Sequence, residues 1–393
     1  MKKPPLITLP ASKSIGNRLL VLGKLFPGIR FDPLPTARDT ILLRNALNYT
    51  GTHIDVRDAG TAMRFALAYY GLFTSRTVIL DGTSRMRQRP VGPLVEALRS
   101  LGAQIEYLER PGFPPLRIHP SEAAVQGGEV ELDAGVSSQF ITALMLVAPG
   151  TRQGIRIQLQ GMPVSRPYIR MTTLLMQQAG IPVHQTGDSI EVLPPVRPPA
   201  KNFRLESDWS AAAFYYARTA LTGRPVRLAY FPQPSVQGDA VAEKLFENFG
   251  VQTHRAGDIL HLGRHAKPLP DKFEIDCRDF PDLAQPLAVT CFGLRIACKL
   301  TGLQTLRIKE TDRIQALETE LGRLGASTRS GKDWLEIIPP AEFPAFNGRI
   351  RTYNDHRMSM SFAVLQSLFP AMQIEDPENV AKSYPGFWED WEK

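Results

Sequence analysis

Three separated stretches of the chain set cations beside carboxylates, hydroxyls or amides: Pro10-Ala-Ser-Lys-Ser-Ile-Gly-Asn-Arg18, Lys309-Glu-Thr-Asp-Arg313 and Tyr353-Asn-Asp-His-Arg-Met358. Each adjoins a helix-like apolar pattern. One such cluster reads as a solvated helix face; three together point to one site for small anionic substrates, drawn from both ends of the chain. In the first, Ser12 or Ser14 can cap the helix read over 15–25, whose free N–H groups favour phosphate or carboxylate. Lys13 adds a point charge, and Arg18 follows about a turn later. The Ser-Lys spacing does not match the Ser-x-x-Lys of acylases. Lys309, Glu310 and Arg313 stand at the start of the helix read over 314–324, either as helix-surface pairs or as site groups. A lone His356 would read as structural, but between Asp355 and Arg357 it becomes a site candidate. Lys382, in Ala381-Lys-Ser-Tyr-Pro385, closes the set.

Further polar groups sit at predicted helix starts. In Asp58-Ala-Gly60-Thr61-Ala-Met-Arg64, Gly60 would let a ligand approach the backbone closely. The glycines fit neither a Walker loop nor a dinucleotide fingerprint. Arg85, Arg87 and Arg89 alternate, so an extended segment would put three guanidinium forks on one face, for anions or as a solvated basic edge. Ser137, Ser138 and Gln139 precede the apolar run 140–147, and Ser165 and Tyr168 precede another helix; these groups either cap and turn the chain or bind a polyol phosphate. Asp282, after Pro281, is an N-cap or a buried general base, and from local sequence the cap is the simpler reading.

The elements that must carry these residues recur. A helix-like segment, a glycine and a β-hairpin repeat, with the glycines at 102, 180, 250 and 325, every 70–78 residues. Glycine tolerates the left-handed cap that ends a helix, and Gly-Asp or Gly-Lys-Asp makes the hairpin turn. The period is too long for a solenoid and suits a helix-plus-sheet unit copied several times around shared cores. Gly51 reads as an earlier copy whose hairpin is truncated to the single strand 52–57. The fold class expected is α/β (α+β).

With 393 residues, 43% hydrophobic and 22% charged, two globular domains are expected. No apolar run reaches membrane-span length, and the N-terminal Met-Lys-Lys-Pro-Pro segment lacks the hydrophobic stretch of a signal peptide, so a cytoplasmic location and no membrane partner are expected. Cys277, Cys291 and Cys298 lack metal-type spacing, and the last two read as small buried hydrophobes; no metal is expected. A net charge of +7 favours anionic partners, either nucleic acid or phosphorylated metabolites. The basic residues are dispersed, and no helix-turn-helix or zinc-finger spacing occurs.

In combination, order and spacing, Lys-Glu-Thr-Asp-Arg and Tyr-Asn-Asp-His-Arg-Met, with Leu9-Pro-Ala-Ser-Lys-Ser and Asp376–Pro385, resemble the EPSP synthase (3-phosphoshikimate 1-carboxyvinyltransferase) family nearly end to end. The resemblance implies the two-domain enolpyruvyl transferase fold, each domain built from βαβαββ-type units with helices packed inside sheets. It places residues 11–205 in one domain, and 1–10 with 206–393 in the other. The implied substrates are shikimate 3-phosphate and phosphoenolpyruvate, with no cofactor, no nucleic acid and a monomeric state. Lys13, Ser14, Arg18, Ser137, Ser138, Gln139, Ser165, Tyr168 and Lys309 would surround shikimate 3-phosphate. Lys13, Gly60, Arg89, Gln139, Arg313, Arg357 and Lys382 would hold phosphoenolpyruvate, and His356 would be a further substrate-binding residue. Asp282 would accept the 5-hydroxyl proton, Glu310 would protonate the methylene carbon, and Lys13 would assist phosphate departure. Because these groups come from both domains, closure over the substrates is implied.

Several positions depart from the family pattern. Ala11 and Gly16 replace a glycine and a serine, Asp58 an asparagine, Phe65 a proline, Trp209 a small residue and Thr305 an asparagine. A carboxylate at 58 would weaken anion binding unless it faces away. The early domain lacks about a strand or two around residues 40–58. The nearest rival is UDP-N-acetylglucosamine enolpyruvyl transferase, whose loop cysteine or aspartate has no counterpart in Thr83–Arg89. A basic nucleic-acid-binding protein and an inactive relative are the other readings.

Overall fold

The computed structural model describes residues 3–120, 125–133, 135, 137–161 and 164–393. The chain divides into two compact units: Lys13–Leu205, and Met1–Ser12 together with Glu206–Lys393. Ala11 and Ser12 fall with the latter, where Ala11 bridges Ser207 and the Ser12 N–H donates to the Glu206 carbonyl.

Within Lys13–Leu205 one pattern occurs twice. Strand His53–Asp55 runs parallel to Val78–Asp81, which pairs antiparallel with Leu116–His119, itself paired with Gln104–Tyr107. Strands Gly128–Asp133, Ile155–Gln160, Ser189–Val192 and Val183–Thr186 repeat that order. In each case the two parallel strands are joined through a helix, Gly60–Phe73 or Ser138–Val147. A second helix, Gly92–Ser100 or Arg166–Gln178, then leads to the hairpin, making a βαβαββ unit. The third sheet has only two parallel strands, Ile29–Asp32 beside Lys201–Arg204. It lacks a hairpin because helix Arg38–Asn48 runs almost directly into His53–Asp55. That short strand is the opening strand of the next sheet, not the remnant of a truncated hairpin.

The other unit is built the same way. Its first sheet starts with the N-terminal strand Leu6–Ile7, parallel to Val226–Leu228 and followed by Ile259–Arg264 and Val251–Ala256. The second contains Lys272–Asp276, Ala297–Thr301, Leu335–Ile338 and Ser327–Ser330. The third is again a parallel pair, Arg349–Ile350 and Gln373–Ile374.

Burial sorts the helices into two kinds. Gly60–Phe73, Ser138–Val147, Trp209–Thr222, Ala284–Gly293 and His356–Leu365 are buried nearly all round. Their sequences are rich in apolar residues on every side, as a helix covered all round requires, with a few buried polar groups such as Arg64, Arg218 and Arg357 among them. Gly92–Ser100, Arg166–Gln178 and Arg313–Arg323 bury one stripe and wet the other. The expected cap glycines all take positive φ: 95° at Gly102, 80° at Gly180, 76° at Gly250 and 95° at Gly325. All three cysteines are buried.

Candidate active site

In Lys13–Leu205 the buried helices start at the polar motifs. Lys13–Leu25 begins at Lys13, Gly60–Phe73 at Gly60 and Ser138–Val147 at Ser138. Each start exposes N–H groups and the positive end of a helix dipole, which suits anions. The Gln139 side-chain amide reaches the Thr61 hydroxyl at 3.3 Å, tying two of these starts together. Ser137 caps its helix by accepting from the Gln139 N–H at 3.2 Å. The hydroxyl of Ser12, a candidate cap, donates to the Gln237 side-chain amide oxygen at 2.9 Å. Gly16 is explained by Pro35: a Cβ at 16 would lie 2.4 Å from the proline ring.

Arg18 and Arg89 are both buried and are used differently. Arg18 donates to the Thr172 hydroxyl at 2.8 Å, the Ser14 carbonyl at 2.8 Å and the Tyr168 carbonyl at 3.2 Å. Its guanidinium also lies 5.9 Å from the ring centres of Phe65 and Tyr168. Burial pushes it down to about 10. Arg18 therefore braces Ser14 and Tyr168, and Phe65 supplies one wall of its slot. Arg89, 6% exposed, lies directly against Gly60, and its buried Nε has no hydrogen-bond partner among the described residues. The expectation of three arginines on one face is corrected: Met86–Gln88 forms a 3-10 turn. Arg87 turns to Asp81 at 2.7 Å and Glu109 at 2.6 Å, leaving Arg89 buried by itself.

Lys13 pairs with Asp39 at 3.2 Å, a carboxylate only 3% exposed that local sequence did not mark. Asp58 gives both oxygens to Arg38 at 3.2 Å, so its charge is balanced on the spot. Ser165 is buried with φ 56°, just before helix Arg166–Gln178.

The second cluster, inside the other unit, is an ion network centred on Arg313. This guanidinium, 2% exposed, meets Asp355 at 2.7 Å, Glu310 at 3.0 Å and Asp282 at 3.2 Å. Burial would lower its affinity for a proton, but Asp355, Glu310 and Asp282 together hold it well above the usual value. Arg357 meets Asp282 at 2.8 Å, and Lys382 meets Glu310 at 3.4 Å. The N-cap of the turn Pro281–Leu283 is Phe280, and the Asp282 side chain is held by two guanidinium groups, which corrects the N-cap reading. Asp355 caps His356–Leu365 by accepting from the Arg357 N–H at 2.8 Å, and His356 is 1% exposed with Nδ1 3.7 Å from Asp355. The segment 353–355 enters that helix through positive φ at Tyr353 (54°) and Asn354 (55°), braced by Tyr353 Oη donating to buried Glu320 at 2.8 Å. Lys382, 1% exposed, ends a 3-10 turn fixed by Asn379, which accepts from Ser359 at 2.6 Å and donates to Thr352 at 2.9 Å. Lys309 is half-buried after the turn Gln304–Ile308, in which the Thr305 hydroxyl is buried with no partner among the described residues.

Asp239 is a buried carboxyl that the local sequence did not mark. It is 4% exposed, accepts from the Ser210 hydroxyl, and is pushed up to about 7 by burial and then by the charge of Asp282. Its only sequence signal is a polar island, Gln237-Gly-Asp239, without charge neighbours. The arrangement sets two carboxylates, Asp282 and Glu310, among the cations Arg313, Arg357 and Lys382; carboxylates can move protons, and such cations can hold a carboxylate or phosphate.

The family model for EPSP synthase (3-phosphoshikimate 1-carboxyvinyltransferase) matches residues 44–391. The 3-phosphoshikimate 1-carboxyvinyltransferase of Bacteroides fragilis is 40% identical over 98% of this chain and 94% of its own length. That of Sulfurovum sp. is 33% identical over 98% and 95%. Among solved structures, EPSP synthase from Acinetobacter baumannii superposes with a TM-score of 0.71 at 20% identity, covering all of this chain and 96% of its own. The enolpyruvyl transferase NikO from Streptomyces tendae gives 0.71 at 13%, covering 98% and 93%. At those identities the structures establish the enolpyruvyl transferase fold. The family model and the relatives at 33–40% identity establish more: the chain belongs to the EPSP synthase (3-phosphoshikimate 1-carboxyvinyltransferase) family.

Proposed function

We propose that this chain carries out the reaction of its family, moving the enolpyruvyl group of phosphoenolpyruvate to the 5-hydroxyl of shikimate 3-phosphate with release of phosphate. The observation that carries the assignment of roles is the network in which Arg313 and Arg357 hold Asp282 while Arg313 and Lys382 hold Glu310. Glu310 protonates the methylene carbon of phosphoenolpyruvate, which develops cationic character at the adjacent carbon. The 5-hydroxyl attacks that carbon as Asp282 takes its proton. The tetrahedral adduct then loses phosphate, and removal of a methyl proton restores the enol ether. Carboxylates move the protons while fixed cations stabilise the charge that develops.

Lys13, Ser14, Arg18, Ser137, Ser138, Gln139, Ser165, Tyr168 and Lys309 are assigned to shikimate 3-phosphate, Lys13, Gly60, Arg89, Gln139, Arg313, Arg357 and Lys382 to phosphoenolpyruvate, and His356 to substrate binding. Arg18 acts largely by holding Ser14 and Tyr168 in place. No helix among the described residues is long and apolar enough to cross a membrane, and we place the activity in the cytoplasm in a monomeric enzyme.

The test is to incubate the purified protein with both substrates and follow phosphate release and product mass. Release that needs both substrates, yields the enolpyruvyl product and is lost in Asp282→Ala and Glu310→Gln supports the assignment. Turnover of UDP-N-acetylglucosamine in place of shikimate 3-phosphate, or no turnover by a folded protein, refutes it.

A further inference from the structure

Lys382 is 1% exposed and meets Glu310 at 3.4 Å, yet it stands at the end of a six-residue 3-10 turn, Pro377–Lys382. Such turns have poor hydrogen-bond geometry and little stability of their own. This one opens on Asp376 at φ 42°, a conformation that a non-glycine residue keeps when its surroundings hold it there. A lysine ammonium rides on a flexible four-carbon stem, so its position depends on how firmly the backbone beneath it is fixed. Asn379 ties the middle of the turn to helix His356–Leu365 through Ser359. The two ends of the turn need other anchors.

The last helix, Phe387–Trp391, supplies both. Trp388 Nε1 donates to the carbonyl of Pro377, the first residue of the turn, at 2.7 Å. Two residues past Lys382, the Tyr384 hydroxyl donates to Asp390 Oδ2 at 2.7 Å and lies 3.2 Å from the Tyr215 hydroxyl. A five-residue helix is not stable alone in water, so it must itself be held. Phe387 is fully buried, with its ring centre 6.4 Å from that of Phe214. Arg218 donates to the Trp391 carbonyl at 2.9 Å, and its guanidinium lies 4.8 Å from the ring centre of Trp391 and 4.9 Å from that of Tyr215. A cation thus meets the carbonyl end of the helix, where donors are otherwise lacking. Phe214, Tyr215 and Arg218 all belong to the buried helix Trp209–Thr222. A chain of contacts therefore runs from the core, through the last helix, to both ends of the turn that carries Lys382.

We propose that Phe387–Trp391 is a strap that fixes Lys382, and that Trp388 and Tyr384 are positioning residues that set the affinity for phosphoenolpyruvate through that lysine. The inference rests on the reading of Lys382 as a group that holds this substrate. Trp388 and Tyr384 fix the backbone on either side of Lys382, and their loss frees the ammonium to leave Glu310 and the substrate anion.

The test uses Trp388→Phe and Tyr384→Phe, each of which deletes one hydrogen bond and keeps an aromatic ring. The KM for phosphoenolpyruvate should rise by on the order of threefold in either variant and tenfold in the two combined, as loss of one and then two neutral hydrogen bonds predicts. The KM for shikimate 3-phosphate should stay unchanged. In Lys382→Ala, which leaves no ammonium to position, adding Trp388→Phe should raise the KM for phosphoenolpyruvate no further. A second measurement needs no turnover: substrate-free protein is labelled with trace acetic anhydride, and each lysine is read by mass spectrometry. Lys382 should label on the order of tenfold faster in the double variant than in the wild type, because local opening exposes it, while Lys13 labels at the same rate in both. Equal labelling of Lys382 in the two proteins overturns the proposal. A parallel rise in both KM values also overturns it, since that marks a general loss of structure. If Lys382→Ala left the KM for phosphoenolpyruvate unchanged, or the wild type did not turn over, the assigned roles would fail, while the labelling would still decide whether the strap holds the lysine.

Discussion

Replacing Gly60 by alanine should separate binding from folding. A Cβ built at Gly60 lies 2.4 Å from Arg89 Nη1 and 2.6 Å from its Cζ and Nη2. The guanidinium must therefore retreat by about 1 Å to reach ordinary contact distance. The clash is with the far end of a flexible side chain, so the backbone need not move, and alanine at a helix start is well tolerated. The melting temperature should stay within about 3 °C, the shift expected for roughly 1 kcal/mol in a protein of this size. Arg89, in contrast, loses its position. A hydrogen bond to a charged group contributes about 1.5–3 kcal/mol, so its loss predicts a rise of roughly 10- to 150-fold in the KM for phosphoenolpyruvate. The KM for shikimate 3-phosphate should change little. Steady-state kinetics with each substrate varied, beside thermal unfolding, measures all three quantities. An unchanged KM for phosphoenolpyruvate would refute the reading of Arg89 against Gly60 as its cradle. A large fall in melting temperature would refute the claim that Arg89 yields without cost to the fold.

Three further outcomes follow from the same geometry. Asp39→Asn removes the charge 3.2 Å from Lys13, so kcat should fall by on the order of tenfold with little loss of stability; an unaltered kcat would show that Asp39 does not orient the lysine. Asp58→Asn breaks a half-exposed pair with Arg38 and should change stability by no more than ~0.5 kcal/mol, measured by urea unfolding, while affinity for phosphoenolpyruvate stays unchanged. Asp239 binds its proton more tightly folded, at about 7, than at its ordinary 3.8, so its contribution to stability is greatest at low pH and declines as pH rises between those values. The melting temperature of Asp239→Asn relative to wild type should therefore increase from pH 4 to pH 8, and a constant difference across that range would contradict the buried, protonated state.

Local chemistry was readable wherever a feature depends on neighbours in the chain. The glycines at 102, 180, 250 and 325 announce helix ends because only positive φ suits that cap, and all four adopt it. The apolar run 140–147 behind Ser137, Ser138 and Gln139 read as a helix, and Ser138–Val147 is a helix buried along nearly its whole length. The charged motifs were recognisable as site candidates because cations and carboxylates stand together at helix starts.

What no local pattern could reveal is which distant partner each charge meets. Arg85, Arg87 and Arg89 are equivalent along the chain, yet a 3-10 turn sends Arg87 to Asp81 and Glu109 and buries Arg89 against Gly60. Asp282 could equally have capped a helix until Arg313 and Arg357, from segments 31 and 75 residues away, were folded onto it. Asp239 showed nothing in its neighbourhood because both the burial and the charge that perturb it come from elements far along the chain. Turn and cap preferences act over a few residues and are written in the residue types themselves. Ion-pair partners and the desolvation of a carboxyl arise only when the sheets and inner helices close around them, because electrostatic coupling follows distance in space and exclusion of water, not order in the chain.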